Sequence, residues 1–125
     1  KSGALLILGD PRGVIDIYEL RTMKVVQQFR AHAAGLLGLK LISSKDKFNI
    51  FTYGRDRGIQ VYDIKQGEAV QRLERDSTSF TALAVEEEGN MVIASGLDGN
   101  IHVWGKDSLE YIGHIPADIV EKYLP

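Results

Sequence analysis

Three stretches of the 125-residue chain repeat one design: GDPRGVIDIYE from Gly9, GRDRGIQVYD from Gly54 and GLDGNIHVWG from Gly96. In each, an apolar run ends on small residues at a tight Asp/Gly turn, and an alternating strand follows it to a large aromatic: Tyr18, Tyr62 or Trp104. The aromatics stand 44 and 42 residues apart. A period of about 40 to 45 residues, with one tight turn and one aromatic per unit, predicts four-stranded sheets repeated side by side.

Taken in order, the apolar runs fit that period. Ala4 to Leu8 stops at the Gly9–Gly13 turn, and Val14 to Tyr18 and Val25 to Phe29 complete a first unit of three strands. The second unit reads Leu36 to Ile42, Phe48 to Tyr53, Ile59 to Ile64 and Ala69 to Leu73. The third reads Phe80 to Val85, Met91 to Ser95, Ile101 to Trp104 and Leu109 to Ile112. Leu36 to Ile42 and Phe80 to Val85 are apolar on both parities, the pattern of strands covered on two faces. The expected organisation is therefore three consecutive all-β units over 1–115, the first lacking its innermost strand. Residues 116–125 follow as the start of a further unit or as an exit segment capped near Asp118.

Composition narrows the function classes. A formal net charge of -2 does not by itself call for a nucleic acid or a membrane surface. Without cysteine there is neither a disulfide framework nor a thiolate metal site, which points toward the cytosol or nucleus. No apolar run reaches the length of a membrane helix, and the sequence opens on Lys1 inside a repeat, as an excised piece would.

The repeats resemble the WD-repeat β-propellers, over nearly the whole chain from Ala4 to about His114. The matching features are Ala31-His32 and Gly113-His114 in the place of a Gly-His pair, Ser95-Gly96-Leu97-Asp98-Gly99 at the tight turn, and Tyr62-Asp63 in the place of Trp-Asp. Departures are Tyr for Trp in two units, Asp76 where the third unit should carry histidine, and Arg12 at the Asp position of the first turn. The resemblance implies an all-β, partial propeller of about three four-stranded antiparallel blades, serving as a platform for other proteins. It also implies a structural hydrogen-bond set in the second unit formed by His32, Thr52, Asp56 and Tyr62, with Asp98 and Trp104 in the corresponding places of the third.

A hydroxyl, an imidazole and a carboxylate together also suit a nucleophilic triad. Catalysis would further need an oxyanion hole and an open pocket, which no spacing here signals, so a loop-holding role and no enzyme activity are expected. His32, His102 and His114 lack i to i+4 pairing, and the glycine turns lack the Gly-Lys-Ser/Thr ending of a phosphate cradle. No metal or cofactor is expected.

Arginine placement gives the functional clue. In a propeller, the loops from fourth to next first strand share one face with the turns from second to third strand. Arg30 and Arg75 fall in the former, Arg12, Arg55 and Arg57 in the latter, so five of the seven arginines gather on one rim. Lys24, Lys45, Lys47, Lys65 and Lys106 fall on the opposite face, among Glu19, Glu86, Glu87, Glu88 and Glu110. Arginine's rigid fork matches carboxylates and phosphates in pairs, which predicts docking of an acidic or phosphorylated peptide. The competing reading is that these arginines pair with Asp10, Glu74 and Asp76 in their own loops. An RNA-binding segment is the alternative function; the rim offers few aromatics for base stacking. Closed propellers have about four to eight blades, so the flanks must meet the rest of a longer propeller or a second copy.

Overall fold

The computed structural model of the chain describes residues 4–33, 35–44, 47–75, 77–88, 90–116 and 118. Lys45, Asp76 and the expectation for 116–125, apart from 116 and 118, lie outside the described residues.

Alternation and glycine-marked turns generate eleven strands: β1 (Leu5–Gly9), β2 (Val14–Glu19), β3 (Lys24–Arg30), β4 (Leu36–Ser44), β5 (Lys47–Gly54), β6 (Ile59–Asp63), β7 (Glu68–Leu73), β8 (Phe80–Glu86), β9 (Met91–Gly96), β10 (Ile101–Gly105) and β11 (Tyr111–Ile115). They form three antiparallel meanders. Sheet 1 is β1-β2-β3, sheet 2 is β4-β5-β6-β7 and sheet 3 is β8-β9-β10-β11. The inner strands β1, β4, β5 and β8 bring neighbouring sheets together, so the sheets fan outward from that edge as propeller blades do.

The period seen in sequence is a period of register. Gly9 pairs with Ile15, Tyr53 with Ile59 and Ser95 with Ile101, which centres the three tight turns on Arg12, Asp56 and Asp98. Six residues beyond each centre the aromatics fall opposite Leu6, Ile50 and Val92. Each of the three aromatics directly follows a register shift against the outermost strand. Such a bulge increases local twist and reorients the side chain beside it. Tyr18, Tyr62 and Trp104 therefore occupy equivalent spots in successive sheets.

Packing follows from those spots. Sheet 1 buries Ile15, Ile17 and Ala31 against Ile50, Tyr62 and Ile64 of sheet 2. The other face of sheet 2 sets Phe51, Ile59, Val61 and Leu73 against Phe80, Leu83, Val92 and Trp104 of sheet 3. Burying each of the isoleucine, leucine, valine and phenylalanine side chains among these contributes about 1.5–3 kcal/mol. Tyr62 faces sheet 1, its ring stacked on Phe29 with centroids 3.6 Å apart, and Trp104 lies in the core shared with sheet 2, where it meets Phe80 of its own sheet edge-on at 5.5 Å. Tyr18 has no described sheet before it and is half-buried.

Two expectations need correction. The innermost strands are not covered on both faces: Leu37 and Leu41 of β4 are 45% and 50% exposed, because no described strand of sheet 1 lies beyond β1 to meet them. Gly113-His114 is not a loop. It belongs to β11, where His114 pairs across the sheet with His102, since the last strand runs three residues further than its apolar run suggested.

The turns into the outermost strands share an uncommon backbone. The amides of Met23, Gly67 and Leu109 donate to Glu19, Asp63 and Gly105 at 2.7, 2.9 and 3.0 Å, with φ of 58°, 70° and 60° respectively. Glycine adopts this left-handed region without the steric cost that a Cβ imposes. Met23 is 60% exposed, so little packing is lost when it is replaced. Met23→Gly is expected to raise stability by about 0.5–1 kcal/mol and Gly67→Ala to lower it by about 1 kcal/mol, read from urea unfolding midpoints at unchanged m.

Candidate functional site

The loop after β3 is fixed from behind before it reaches forward. The amides of Ala31 and His32 both donate to the Gly13 carbonyl at 2.8 and 3.2 Å. Gly13, with φ 89°, lies so close that any Cβ there would collide with the His32 carbonyl. The imidazole of His32, 1% exposed, then crosses to sheet 2. Its Nδ1 lies 2.6 Å from Asp56 Oδ1 and its Nε2 2.9 Å from Thr52 Oγ1. A carboxylate can only accept, so Nδ1 carries a proton, and in the neutral ring Nε2 accepts from the Thr52 hydroxyl.

Asp56 is held by more than the histidine. Its Oδ2 accepts from the Ala33 amide at 2.8 Å and from Arg72 Nη2 at 3.1 Å. Burial pushes its carboxyl upward, but the Ala33 amide, the His32 hydrogen bond and the charges of His32 and Arg72 outweigh burial and hold it below the usual 3.8. Arg72 also donates to the Ala31 and Arg57 carbonyls at 3.1 and 2.6 Å and pairs with Glu74 at 3.1 Å. It was not among the sequence candidates, yet it joins turn, loop and outermost strand. It read as an ordinary polar residue near the end of a strand, which gave no sign of this.

Tyr62 does not complete the set around Thr52. Its hydroxyl donates to Gln27 Oε1 at 3.1 Å, and its ring stacks on Phe29, because a phenol extends beyond the reach of the strand-borne threonine. Gln27 Nε2 in turn donates to the Ile64 carbonyl at 2.9 Å, and Gln71, 44 residues later, donates to the Leu109 carbonyl at 3.3 Å. These two glutamines tie each outer strand to the next sheet.

Sheet 3 builds its own version with different parts. Asp98 Oδ1 accepts from the Asn100 amide at 3.0 Å, and its Oδ2 lies 3.0 Å from Nε2 of His102, a fully buried strand residue rather than a loop histidine. His102 Nδ1 lies 2.9 Å from the Tyr111 hydroxyl, so here the proton sits on Nε2 and the phenol donates. In their neutral forms the two histidines take opposite tautomers. Burial raises the Asp98 carboxyl, and the His102 and Asn100 hydrogen bonds reverse that and leave it lowered. Trp104 contributes packing against Phe80 and Tyr111. In sheet 1, Asp10 rather than the central Arg12 caps the turn, accepting from the amides of Arg12 and Val14 at 2.8 and 3.1 Å.

The loops so pinned form one continuous rim. Arg30 Nη1 donates to the Arg12 carbonyl at 2.6 Å, the Arg55 amide to the Gly35 carbonyl at 2.7 Å, Ser79 Oγ to the Arg55 carbonyl at 3.2 Å and the Leu97 amide to the Ser79 carbonyl at 2.9 Å. Along it, Arg12 is engaged by Asp10 at 2.7 Å, which holds the Asp10 carboxyl low. Arg75 lies 3.9 Å over the Tyr111 ring. Arg55 and Arg57 are exposed on either side of Asp56. The pairing read from sequence thus holds for Arg12; Glu74 instead takes Arg72. On the opposite face Lys106 pairs with Glu87 at 2.7 Å.

Chemically, the His32 set can hold loops but offers no nucleophile, since Thr52 is 0% exposed. Among the described residues no group of three or more His, Asp or Glu side chains is placed to hold a metal ion, and no helix is long and apolar enough to cross a membrane.

No family model matches the chain. Over 99 residues, 78% of its length, it is 28% identical to Protein TOPLESS-RELATED PROTEIN 2 of Oryza sativa subsp. japonica. It is 27% identical over the same length to Topless-related protein 4 and Protein TOPLESS of Arabidopsis thaliana. The chain spans 8–9% of these curated relatives. In three dimensions it is similar to the β-propeller domain of Myceliophteria thermophila Cps50 (Swd1), with a TM-score of 0.75 at 16% identity over 89% of this chain and 39% of that one.

Both carboxylates are lowered on folding, so their stabilisation is fully present above about pH 3.8 and is lost as pH falls through the lower, folded values. Chemical denaturation from pH 7 to 2 should therefore show the contribution of Asp56 and Asp98 falling away below about pH 4. His32→Ala should lower the pH 7 plateau by about 1–3 kcal/mol, the cost of leaving buried partners unpaired, and flatten the acid fall.

Proposed function

Because the chain has the fold of a WD-repeat β-propeller, with three of its blades in sequence, we propose that it is part of a non-catalytic scaffold that docks an acidic or phosphorylated peptide on its arginine rim. WD-repeat propellers typically bind other proteins, and the cysteine-free composition suits the cytosol or nucleus.

One observation carries the reading: Arg55 and Arg57 are exposed on a turn whose central carboxylate is already engaged by His32, Ala33 and Arg72. A turn held from within presents two guanidinium forks on a fixed backbone, so that binding orders the two side chains and not the loop. The Asp56 carboxylate cannot fold back to neutralise them. Arg12, Arg30 and Arg75 serve mainly to shape the same rim through the Asp10, Arg12-carbonyl and Tyr111 contacts. Leu97, 71% exposed and joined to this rim, adds an apolar contact beside the cations.

Each charge-assisted hydrogen bond contributes about 1.5–3 kcal/mol, or roughly tenfold or more in affinity. Fluorescence anisotropy with a phosphoserine peptide and a glutamate-rich peptide is expected to show saturable binding that Arg55→Glu with Arg57→Glu abolishes while the circular dichroism stays unchanged. Equal binding by the double variant removes the proposal. Preference for single-stranded RNA over both peptides, with a steep salt dependence, would replace it by the nucleic-acid reading.

A further inference from the structure

All five N–H donors of Arg72 are in use. Nη1 donates to the Ala31 carbonyl at 3.1 Å and to Gln60 Oε1 at 3.4 Å, Nη2 to Asp56 Oδ2 at 3.1 Å and to the Arg57 carbonyl at 2.6 Å, and Nε to Glu74 Oε2 at 3.1 Å. Four of these partners are fixed. Two are backbone carbonyls, Asp56 is held by His32 and the Ala33 amide, and the Gln60 amide is turned to the Val61 carbonyl at 3.0 Å. The fifth lies in solvent: the Glu74 side chain is 58% exposed, against 21% for Asp56 and 30% for Arg72 itself.

Glu74 reaches that edge by lying across the arginine turn. A Cβ at Gly58 would stand 2.9 Å from Glu74 Cγ and 3.2 Å from Arg72 Nε, so the ion pair rests on the residue next to exposed Arg57. The registers confine the arrangement to sheet 2. Gln60 pairs with Arg72 as Asp16 pairs with Gln28 and His102 with His114, so a glutamine and a histidine hold the place of Arg72 in the neighbouring sheets. A guanidinium edge covered by an exposed carboxylate therefore stands beside the same turn that presents Arg55 and Arg57.

Resting on the reading that the rim docks an anionic peptide, we propose that the Nε edge of Arg72 selects a phosphorylated residue over an acidic one, with Glu74 as the resident anion that the phosphate displaces. A peptide carboxylate taking this edge would exchange one carboxylate for another and gain nothing there, so it stays on Arg55 and Arg57. A phosphate monoester carries a charge of about -1.5 to -2 and three acceptor oxygens. It can replace Glu74 at Nε and keep oxygens for the Arg57 fork, which a carboxylate has too few oxygens to do as well. Releasing Glu74 costs little, since an exposed pair of this kind is weak and its carboxylate is already more than half in water.

The test compares, on the intact chain, two peptides that differ only in carrying phosphoserine or glutamate at one position. The phosphopeptide is expected to bind about tenfold or more tightly. It should also shift the side-chain Nε–H resonance of Arg72 in heteronuclear NMR, which the glutamate peptide leaves in place. Glu74→Gln and Glu74→Asp should each tighten phosphopeptide binding about two- to fivefold, the scale of one exposed ion pair. The aspartate keeps the charge but is a methylene too short to hold Nε, and circular dichroism checks that both variants are folded. Inorganic phosphate should shift the same resonance only at far higher concentration than the phosphopeptide. Equal affinity for the two peptides, or an Arg72 resonance that neither moves, overturns the selection by Arg72 and leaves the docking of acidic peptides on the rim standing. Tightening by the glutamine variant alone marks a diffuse charge effect and overturns the displacement, and free phosphate as potent as the phosphopeptide overturns a peptide site. Binding of neither peptide removes the rim reading, and this inference with it.

Discussion

No sheet of this protein can be dry on its own. Sheet 2 carries apolar side chains on both faces, Ile50 and Tyr62 on one, Phe51, Ile59 and Val61 on the other, all 5% exposed or less. An antiparallel meander of four strands has no interior, so these residues leave water only when a further sheet lies on each side. The same positions in sheet 3, which has a described sheet on one face alone, show the contrast. Ile93, Ile101 and Val103 correspond to Phe51, Ile59 and Val61 yet remain partly exposed, and Ile115, in the place of fully covered Leu73, is 41% exposed. Stacking is thus the fold's principal stabilising interaction, and apolar residues stay partly exposed where no described sheet covers them.

The polar loops then convert stacking into a defined surface. His32 belongs to the connection between sheets 1 and 2, is fixed to the sheet 1 turn through Gly13, and binds the sheet 2 turn through Asp56. Because the carboxylate is shared with Ala33 and Arg72, the turn bearing Arg55 and Arg57 has little freedom left. Sheet 3 reaches the same end with a strand histidine and a tyrosine in place of the loop histidine. The geometry of the rim is therefore maintained although the residues that maintain it change from unit to unit. A surface set by rigid turns can change the side chains it presents, such as Leu97 and the flanking arginines, without altering the sheets below.

Much of the fold was readable because its causes are local. Glycine turns, alternation and the 44- and 42-residue spacing of the aromatics depend on neighbours in sequence, and the strands fell within a few residues of their runs. What escaped depends on neighbours in space. Arg72, Gln27 and Gln71 look like ordinary polar strand residues, and only the approach of the adjacent loop or sheet gives them carbonyls to bind. His102 drew attention in sequence only for lacking a metal-ligand pairing, but its ring replaces the missing loop histidine because β10 points it at Asp98. Gly113-His114 looked like a repeat marker and is a strand pair, since a two-residue motif carries no register. The arginine rim was inferred from loop order alone; that Arg12 turns back to Asp10 and Arg75 onto Tyr111 is decided by side-chain packing no spacing reveals.

Hydrogen exchange followed by mass spectrometry on the intact chain tests most directly whether stacking governs stability. If the sandwiched sheet is the stable centre, peptides covering Phe51–Gly54 and Ile59–Asp63 exchange slowest, those covering Leu5–Gly9 and Tyr111–Ile115 fastest, with a gradient between. Uniform protection across the three sheets, or slowest exchange in β1 or β11, would contradict a fold held together by the contacts on both faces of sheet 2.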